Sequence, residues 1–102
     1  MKILFRTRRN PGVSAEQIAA MRLDEAAAVW RLLASGFLRE IYFSPEGPAV
    51  IGIVEAHGVD IARRRLLDLP MPAAGLIDFE LHSLQPYDQF ELLFDRRHRG
   101  LP

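Results

Sequence analysis

The chain has 102 residues, is 49% hydrophobic in composition and carries 13 Lys plus Arg against 13 Asp plus Glu, so its formal net charge is zero. This size and balance are typical of one globular domain and exclude a disordered or fibrous chain. The even charge removes the electrostatic reason to expect nucleic acid or an anionic membrane as a partner. Because there is no cysteine, disulfides, thiolate catalysis and thiolate metal sites are also excluded.

The first predicted element is a strand over residues 2–9. Apolar and other side chains alternate along it, which is typical of a half-buried strand. One face carries Ile3 and Phe5, and the opposite face carries Leu4, Arg6 and Arg8. Asn10-Pro11-Gly12 then ends the strand.

A long helix is predicted next. Ser14 with Gln17 three residues later forms a capping box, and Gly36 is placed as a helix stop. A helix of roughly 20 residues is therefore expected between them. Within it Glu25 falls on an apolar flank, where a carboxylate needs either a function or a partner, such as Arg22 one turn earlier.

A hairpin and a shorter helix follow. Segments 37–43 and 49–56 are rich in aromatic and β-branched residues, and Ser44-Pro45-Glu46-Gly47-Pro48 between them is a turn sequence. A helix that begins near residue 58 is stopped at Pro70. We expect the hairpin strands to be neighbours in one sheet.

The last predicted strand covers residues 76–84. One face is apolar, and the other carries Asp78, Glu80 and His82. Right-handed crossovers turn the order strand, helix, hairpin, helix, strand into an α+β fold, the ferredoxin-like βαββαβ arrangement. Both helices then cover one face of a four-stranded antiparallel sheet, and residues 1–94 form a single domain.

The uncovered face of this sheet is expected to meet a second copy of the chain. The first and last strands are neighbours in this fold, so Arg6 and Glu80 can approach as a cross-strand pair. Such a pair is either an exposed salt bridge worth about 0–1 kcal/mol or part of a cavity shared by two sheets packed face to face, where burial shifts pKa values. An apolar C-terminal segment from about residue 86 would dock on the neighbouring subunit. These features predict a dimeric α/β barrel, as a homodimer or a higher homo-oligomer.

The chain termini and histidines lead to further predictions. Residues 95–102 include Arg96-Arg97-His98-Arg99 and are predicted to be a basic flexible tail. The N-terminal segment is too short and charged for a signal peptide, and no apolar run approaches the ~20 residues that span a bilayer, so a cytoplasmic protein is expected.

The three histidines lack metal-binding spacing, and no phosphate loop or dinucleotide fingerprint is present. We therefore expect neither a metal nor a cofactor.

Muconolactone delta-isomerases have a closing motif that is similar to residues 69–81 of this chain, Leu-Pro-Met-Pro-Ala-Ala-Gly-Leu-Ile-Asp-Phe-Glu-Leu. In that family a helix ends in Leu-Pro-Leu or similar, and a strand then carries Asp-x-Glu. The sequence of Trp30, Gly36 and Arg39 also resembles the family's passage from helix to strand. The likeness covers residues 2–94 and implies a ferredoxin-like subunit, a dimeric barrel and a pocket between the sheet and its surroundings.

The resemblance also implies a reaction. Family enzymes shift a carbon-carbon double bond in a lactone that bears a carboxylate arm, which is a proton transfer next to a carbonyl. It requires a base, a group that returns the proton, a donor for the enolate oxygen and a cation for the carboxylate. The resemblance and the strand positions nominate Glu80 as the base and Glu80, His82 and Arg39 as the catalytic set. The substrate-binding candidates are Arg6, Tyr42, Glu55 and Asp78.

The same residues are also compatible with other functions. Where the isomerases have a Trp-Arg-His triplet on the second strand, this chain has Leu38-Arg39-Glu40, so that histidine is absent. Its absence favours a non-catalytic module that binds a small ligand or serves in assembly. A cofactor-independent monooxygenase of the same barrel architecture is a third hypothesis, because fold alone does not separate the three.

Overall fold

The computed structural model describes residues 1–95, and the predicted basic run at 96–99 lies outside the described residues. The elements follow in chain order as β1 (Lys2–Arg9), α1 (Ala15–Ala20), α2 (Arg22–Ser35), β2 (Leu38–Ser44), β3 (Ala49–Glu55), α3 (Val59–Leu67), α4 (Pro70–Ala73) and β4 (Ile77–Leu84). A 3₁₀ helix spans Asp88–Leu93. None of the helices described is long and apolar enough to cross a membrane.

The four strands form one antiparallel sheet in the order β2-β3-β1-β4. This confirms the predicted ferredoxin-like α+β fold. The faces predicted to meet the helices do so, since Ile3, Phe5 and Phe79 are buried, while Ile77 and Leu81 pack partly buried against the same core. Arg6 lies directly opposite Glu80, as the predicted pairing of the first and last strands requires.

The core has one position where only glycine fits. Phe5 and Phe79 pack edge to face with ring centroids 5.7 Å apart. The Phe5 ring also lies over Gly52 of the neighbouring strand, where an added Cβ would come within 2.5 Å of the ring and 2.6 Å of the Glu40 carbonyl oxygen. The glycine thus lets an aromatic ring pack directly on the sheet backbone.

The predicted long helix is interrupted. The capping box of Ser14 and Gln17 is present, and Gly36 ends the helix with a positive φ of 85°. However, Met21 leaves the helical conformation at φ −106° and ψ 2°, so α1 and α2 are separate helices. The α1 helix has no buried residue, whereas one flank of α2 packs on the core.

The other flank of α2 is exposed in the single chain. The apolar periodicity predicts a helix covered over more than half of its circumference, but Leu23 is 82% exposed and Trp30 68% exposed. Large apolar groups at this exposure are typical of a surface that meets another molecule.

A β-bulge changes the facing of residues in β2. Leu38 is paired with Val54, yet Glu40 is paired with Ile53, so Arg39 is an extra residue in the ladder. Leu38 therefore points into the core and is 2% exposed, while Glu40 and Tyr42 lie on the opposite face. Regular alternation along the strand predicts that Leu38, Glu40 and Tyr42 share a face. That prediction is wrong, because a bulge inserts one residue and reverses the alternation after it.

The C-terminal segment leaves its apolar side chains uncovered. The rings of Tyr87 and Phe90 pack against each other at 4.9 Å. Phe90, Leu93 and Phe94 are nevertheless 60%, 62% and 73% exposed. That they dock on a neighbouring subunit stays a prediction.

Candidate functional site

Most of the predicted site residues lie on the open face of the sheet, opposite the helices. The register aligns Tyr42, Ile51, Arg6 and Glu80 in one row across the four strands. Glu40, Ile53, Leu4 and His82 form the next row. Because neighbouring strands are about 4.8 Å apart, the backbone of Tyr42 is about 14 Å from that of Glu80.

Hydrogen bonds on this face pair residues within each edge strand. The Tyr42 hydroxyl donates to Glu40 Oε1 at 3.0 Å, and this bond raises the pKa of Tyr42 above its usual value. His82 Nε2 lies 3.0 Å from Glu80 Oε1. Arg6 donates to the Gly47 carbonyl at 3.1 Å instead of bonding to Glu80. The open face therefore carries one carboxylate on each edge strand, Glu40 and Glu80, and Arg6 lies on a strand between them.

The other three predicted residues make structural contacts at the two ends of the sheet. Arg39 Nε donates to the Gly36 carbonyl at 2.6 Å. Glu55 bonds the N-terminal ammonium group at 3.1 Å, and this bond holds the pKa of Glu55 below its usual range. Asp78 lies between the guanidinium groups of Arg8 and Arg63, at 3.8 and 3.6 Å.

These contacts separate the predicted residues into two groups. Glu55 is in register with Lys2, and Asp78 is in register with Arg8. Six residues along β1 separate these two rows, or about 20 Å. A single chain thus brings Arg6, Tyr42, Glu80 and His82 to one surface and leaves Arg39, Glu55 and Asp78 at its margins.

A second candidate site lies on the helix side of the sheet, around Glu25. The Glu25 side chain lines a cavity of about 30 Å³, which has room for about two water molecules. The other residues that line it are apolar apart from Thr7: Phe5, Val29, Leu32, Leu38, Ile41, Val50, Leu66, Leu69 and Phe79.

The Glu25 carboxylate is held by a backbone donor. Its Oε1 atom accepts a hydrogen bond from the Met71 N–H at 2.9 Å. Pro70 and Pro72, on either side of Met71, have no N–H group. The Met71 N–H is therefore the free donor at the start of α4. Within the described residues Glu25 forms no ion pair with Arg22, which was the alternative partner, and its Oε2 atom accepts no hydrogen bond.

Burial raises the pKa of the Glu25 carboxyl above its usual value. The cause is the loss of solvation of the charged form, and the bond from Met71 opposes it only in part. A carboxyl group with a raised pKa in an apolar cavity is better matched to proton transfer near neutral pH than an exposed one.

A larger cavity adjoins the first, and we call the two together the cleft. It measures about 260 Å³ and shares Thr7 and Val50 with the inner cavity. The Thr7 hydroxyl oxygen accepts a hydrogen bond from the Val50 N–H at 2.9 Å, which leaves the Thr7 O–H as a donor. The residues that line this outer part are Thr7, Arg9, Ile18, Arg22, Phe43, Pro48, Ala49, Val50, Met71 and Ile77.

Sequence patterns identified only part of the cleft. The sequence identified Glu25 as an acid on an apolar flank. It did not identify Arg9, which is at the end of a strand and next to Arg8, a residue that points to the opposite face. Alternate residues of a strand point to the same face, so Arg9 lies on the helix side of the sheet with Phe5 and Thr7. This alternation is the sequence signal that could have identified Arg9. Among the described residues no group of three His, Cys, Asp or Glu side chains could hold a metal ion.

Comparison with solved structures shows the fold. A crystal structure of muconolactone isomerase matches with a TM-score of 0.65 and 19% sequence identity, over 85% of this chain and 93% of that one. The chain has the fold of muconolactone isomerase. A structure of 5-chloro-2-hydroxyhydroquinone dehydrochlorinase from Burkholderia phenoliruptrix AC1100, in complex with 2,5-dihydroxybenzoquinone, matches this chain with a TM-score of 0.60 and 16% identity. That match covers 83% of this chain and 94% of the dehydrochlorinase.

The resemblance to muconolactone isomerase is thus one of structure. No protein-family model matches the chain, and a search of curated proteins gives no significant match.

Proposed function

We propose that the chain is a cofactor-free isomerase that moves a double bond by proton transfer in a small carboxylated lactone or a related carbonyl compound. The observation that carries the proposal is Glu25, an acid with a raised pKa in an apolar cavity that shares Thr7 and Val50 with a larger one. The two solved structures of this fold support it, because one is named for a lactone isomerase and the other for a dehydrochlorinase that holds a small oxygenated ring.

The cleft contains the groups that such a step requires. Glu25 takes a proton from the carbon next to the conjugated carbonyl system, so that a C–H bond breaks and its electrons pass to the carbonyl oxygen. The Thr7 hydroxyl donates a hydrogen bond to the developing enolate. The protonated Glu25 returns the proton to a second carbon, and the double bond then occupies its new position. No electron leaves or enters the substrate.

The open sheet face is a second candidate position for the same chemistry. There Glu80 serves as the base, His82 at 3.0 Å returns the proton, and Arg6 binds the substrate carboxylate. Tyr42 donates to the enolate, and Arg39, Glu55 and Asp78 contribute where a second sheet packs on the first. This position needs a dimer to exclude water, whereas the cleft is formed by one chain.

Deuterium exchange into muconolactone, followed by NMR, tests the proposal and separates the two positions. We expect Glu25→Gln to slow exchange by about 10²-fold or more, as loss of a general base does. The matched variant Glu80→Gln should remain within a few-fold of wild type. If Glu25→Gln exchanges at the wild-type rate, Glu25 is not the base, and a slow Glu80→Gln would assign the chemistry to the open face.

The competing functions give different results in the same samples. A wild-type protein that binds muconolactone without exchanging its protons would be a binding module. A wild-type protein that consumes oxygen with a phenolic substrate would be a monooxygenase of this fold. Either result would refute the isomerase proposal.

A further inference from the structure

Arg9 and Arg22 both line the outer cavity of the cleft, one from the sheet and the other from α2. Arg9 is the last residue of β1 and faces Ile77 of β4, and Arg22 is the first residue of α2. Both border the same space of about 260 Å³. Two arginines therefore border a cavity whose other lining residues are mainly apolar.

Neither guanidinium group has a protein partner within the described part of the chain. Other arginines there are engaged: Arg6 with the Gly47 carbonyl, Arg8 with Asp78, Arg39 with the Gly36 carbonyl, Arg63 with Asp78 and the Phe79 carbonyl, and Arg65 over the Phe37 ring. Arg31 and Arg64 also lack partners, and all four of these arginines are exposed, but Arg31 and Arg64 line neither cavity of the cleft. Among the residues described, only Arg9 and Arg22 combine free donors with the lining of the cleft.

Arg22 lies where a helix disfavours a cation, although Asp24 and Glu25 are in the same first turn. A helix N-terminus carries partial positive charge, so a cation in the first turn of α2 is repelled by the helix dipole. A second cation, Arg9, on the same cavity adds to that repulsion. The acid of the cleft, Glu25, lines the inner cavity and is bonded to the Met71 N–H rather than to either arginine. An anion in the outer cavity would relieve both effects.

We propose that Arg9 and Arg22 together form an anion subsite that binds the carboxylate of a small organic acid at the mouth of the cleft. Planar guanidinium groups bind carboxylates through paired, charge-assisted hydrogen bonds. The apolar lining from Ile18, Phe43 and Ile77 then receives the uncharged ring of the ligand. The carboxylate is thus the group that selects the ligand and directs its ring toward Glu25.

The inference rests on the proposed function only for the identity of the ligand. Its test therefore measures binding of a ligand that the protein cannot convert. The probe is the saturated γ-lactone with an acetate side arm, which has no double bond to move, and its methyl ester is the uncharged comparison. Calorimetry measures the affinity of wild type, Arg9→Gln, Arg22→Gln and, as the matched control, Arg31→Gln. Unchanged unfolding by urea establishes that each variant is folded.

We expect wild type and Arg31→Gln to bind the acid at least about tenfold more tightly than the ester. Arg9→Gln and Arg22→Gln should each lose about tenfold or more in affinity for the acid and none for the ester, and Arg22→Lys should restore part of it. Equal affinity of wild type for acid and ester, or an equal loss in Arg31→Gln, would overturn the subsite. Binding of the acid without proton exchange in muconolactone would support the subsite and refute the isomerase.

Discussion

Gly52 cannot be replaced by a larger residue without a loss of stability. An added Cβ would overlap the Phe5 ring and the Glu40 carbonyl oxygen, at 2.5 and 2.6 Å. We expect Gly52→Ala to lower the free energy of unfolding by about 1–3 kcal/mol, as overpacking of a core does. Gly58→Ser is the control, because a Cβ there meets nothing within 4 Å and serine is favoured at the start of a helix. A loss in Gly52→Ala no larger than in the control would contradict this description of the core.

Glu25 makes stability depend on pH in a predictable direction. Its pKa in the folded state is above the usual value of 4.5, so the folded protein holds this proton more tightly than the unfolded chain does. The stabilising contribution is therefore complete below about pH 4.5 and is lost as pH rises through the folded pKa. Glu25→Gln removes this titration, so the stability of the variant relative to wild type should increase across that interval.

Urea unfolding at a series of pH values measures this difference. Glu46→Gln is the matched control, because Glu46 is exposed in the turn between β2 and β3. Parallel stability profiles for wild type and Glu25→Gln would show that the acid is not desolvated.

At the scale of elements, the bulge in β2 fixes the facing of the whole strand. Deleting Arg39 removes the extra residue, so either Leu38 leaves the core or Glu40 and Tyr42 enter it. We expect the deletion to cost about 2 kcal/mol or more, the scale of losing one buried leucine. Arg39→Ala keeps the residue count and should change stability by about 0.5 kcal/mol or less. Equal effects of the two changes would contradict the assigned register.

The elements were predictable where one local pattern determines them. The capping box at Ser14, the Gly36 stop and the alternation in β1 and β4 each act within a few residues, and all are confirmed. The interruption at Met21 and the bulge at Arg39 were not predicted, because tertiary packing sets both and neither residue is a helix breaker or a glycine. The bulge also decides which side of β2 faces the cleft, whereas Arg9 was missed for a different reason, its position at the end of β1.

At the scale of the whole molecule, the residues described leave two apolar surfaces uncovered besides the outer flank of α2 with Leu23 and Trp30. One is the open sheet face with Ile51 and Ile53, and the other is the C-terminal segment with Phe90 and Phe94. Burial of such surfaces favours association, because about 25 cal/mol is gained per Å² removed from water before the entropic costs of association are subtracted. We therefore expect a homodimer in which the sheets pack face to face and the C-terminal segment docks on the partner.

Sedimentation velocity tests the dimer. Wild type should sediment as twice the 11.6 kDa chain. Ile53→Glu should dissociate it, because a carboxylate at the centre of the interface would be desolvated. Ile61→Glu is the matched control, since Ile61 lies exposed on α3. The pair Phe90→Ser and Phe94→Ser should weaken the dimer. A wild-type monomer at micromolar concentration would contradict the face-to-face arrangement.

Locating the bound ligand distinguishes most directly between a site in the cleft and a site on the open face. Isoleucine methyl groups report on both, because Ile18 and Ile77 line the cleft while Ile51 and Ile53 lie on the open face. In a methyl NMR titration of the wild-type protein with muconolactone, we expect the Ile18 and Ile77 signals to shift and those of Ile51 and Ile53 to remain in place. Shifts at Ile51 and Ile53 without shifts at Ile18 and Ile77 would contradict the assignment of function to the cleft.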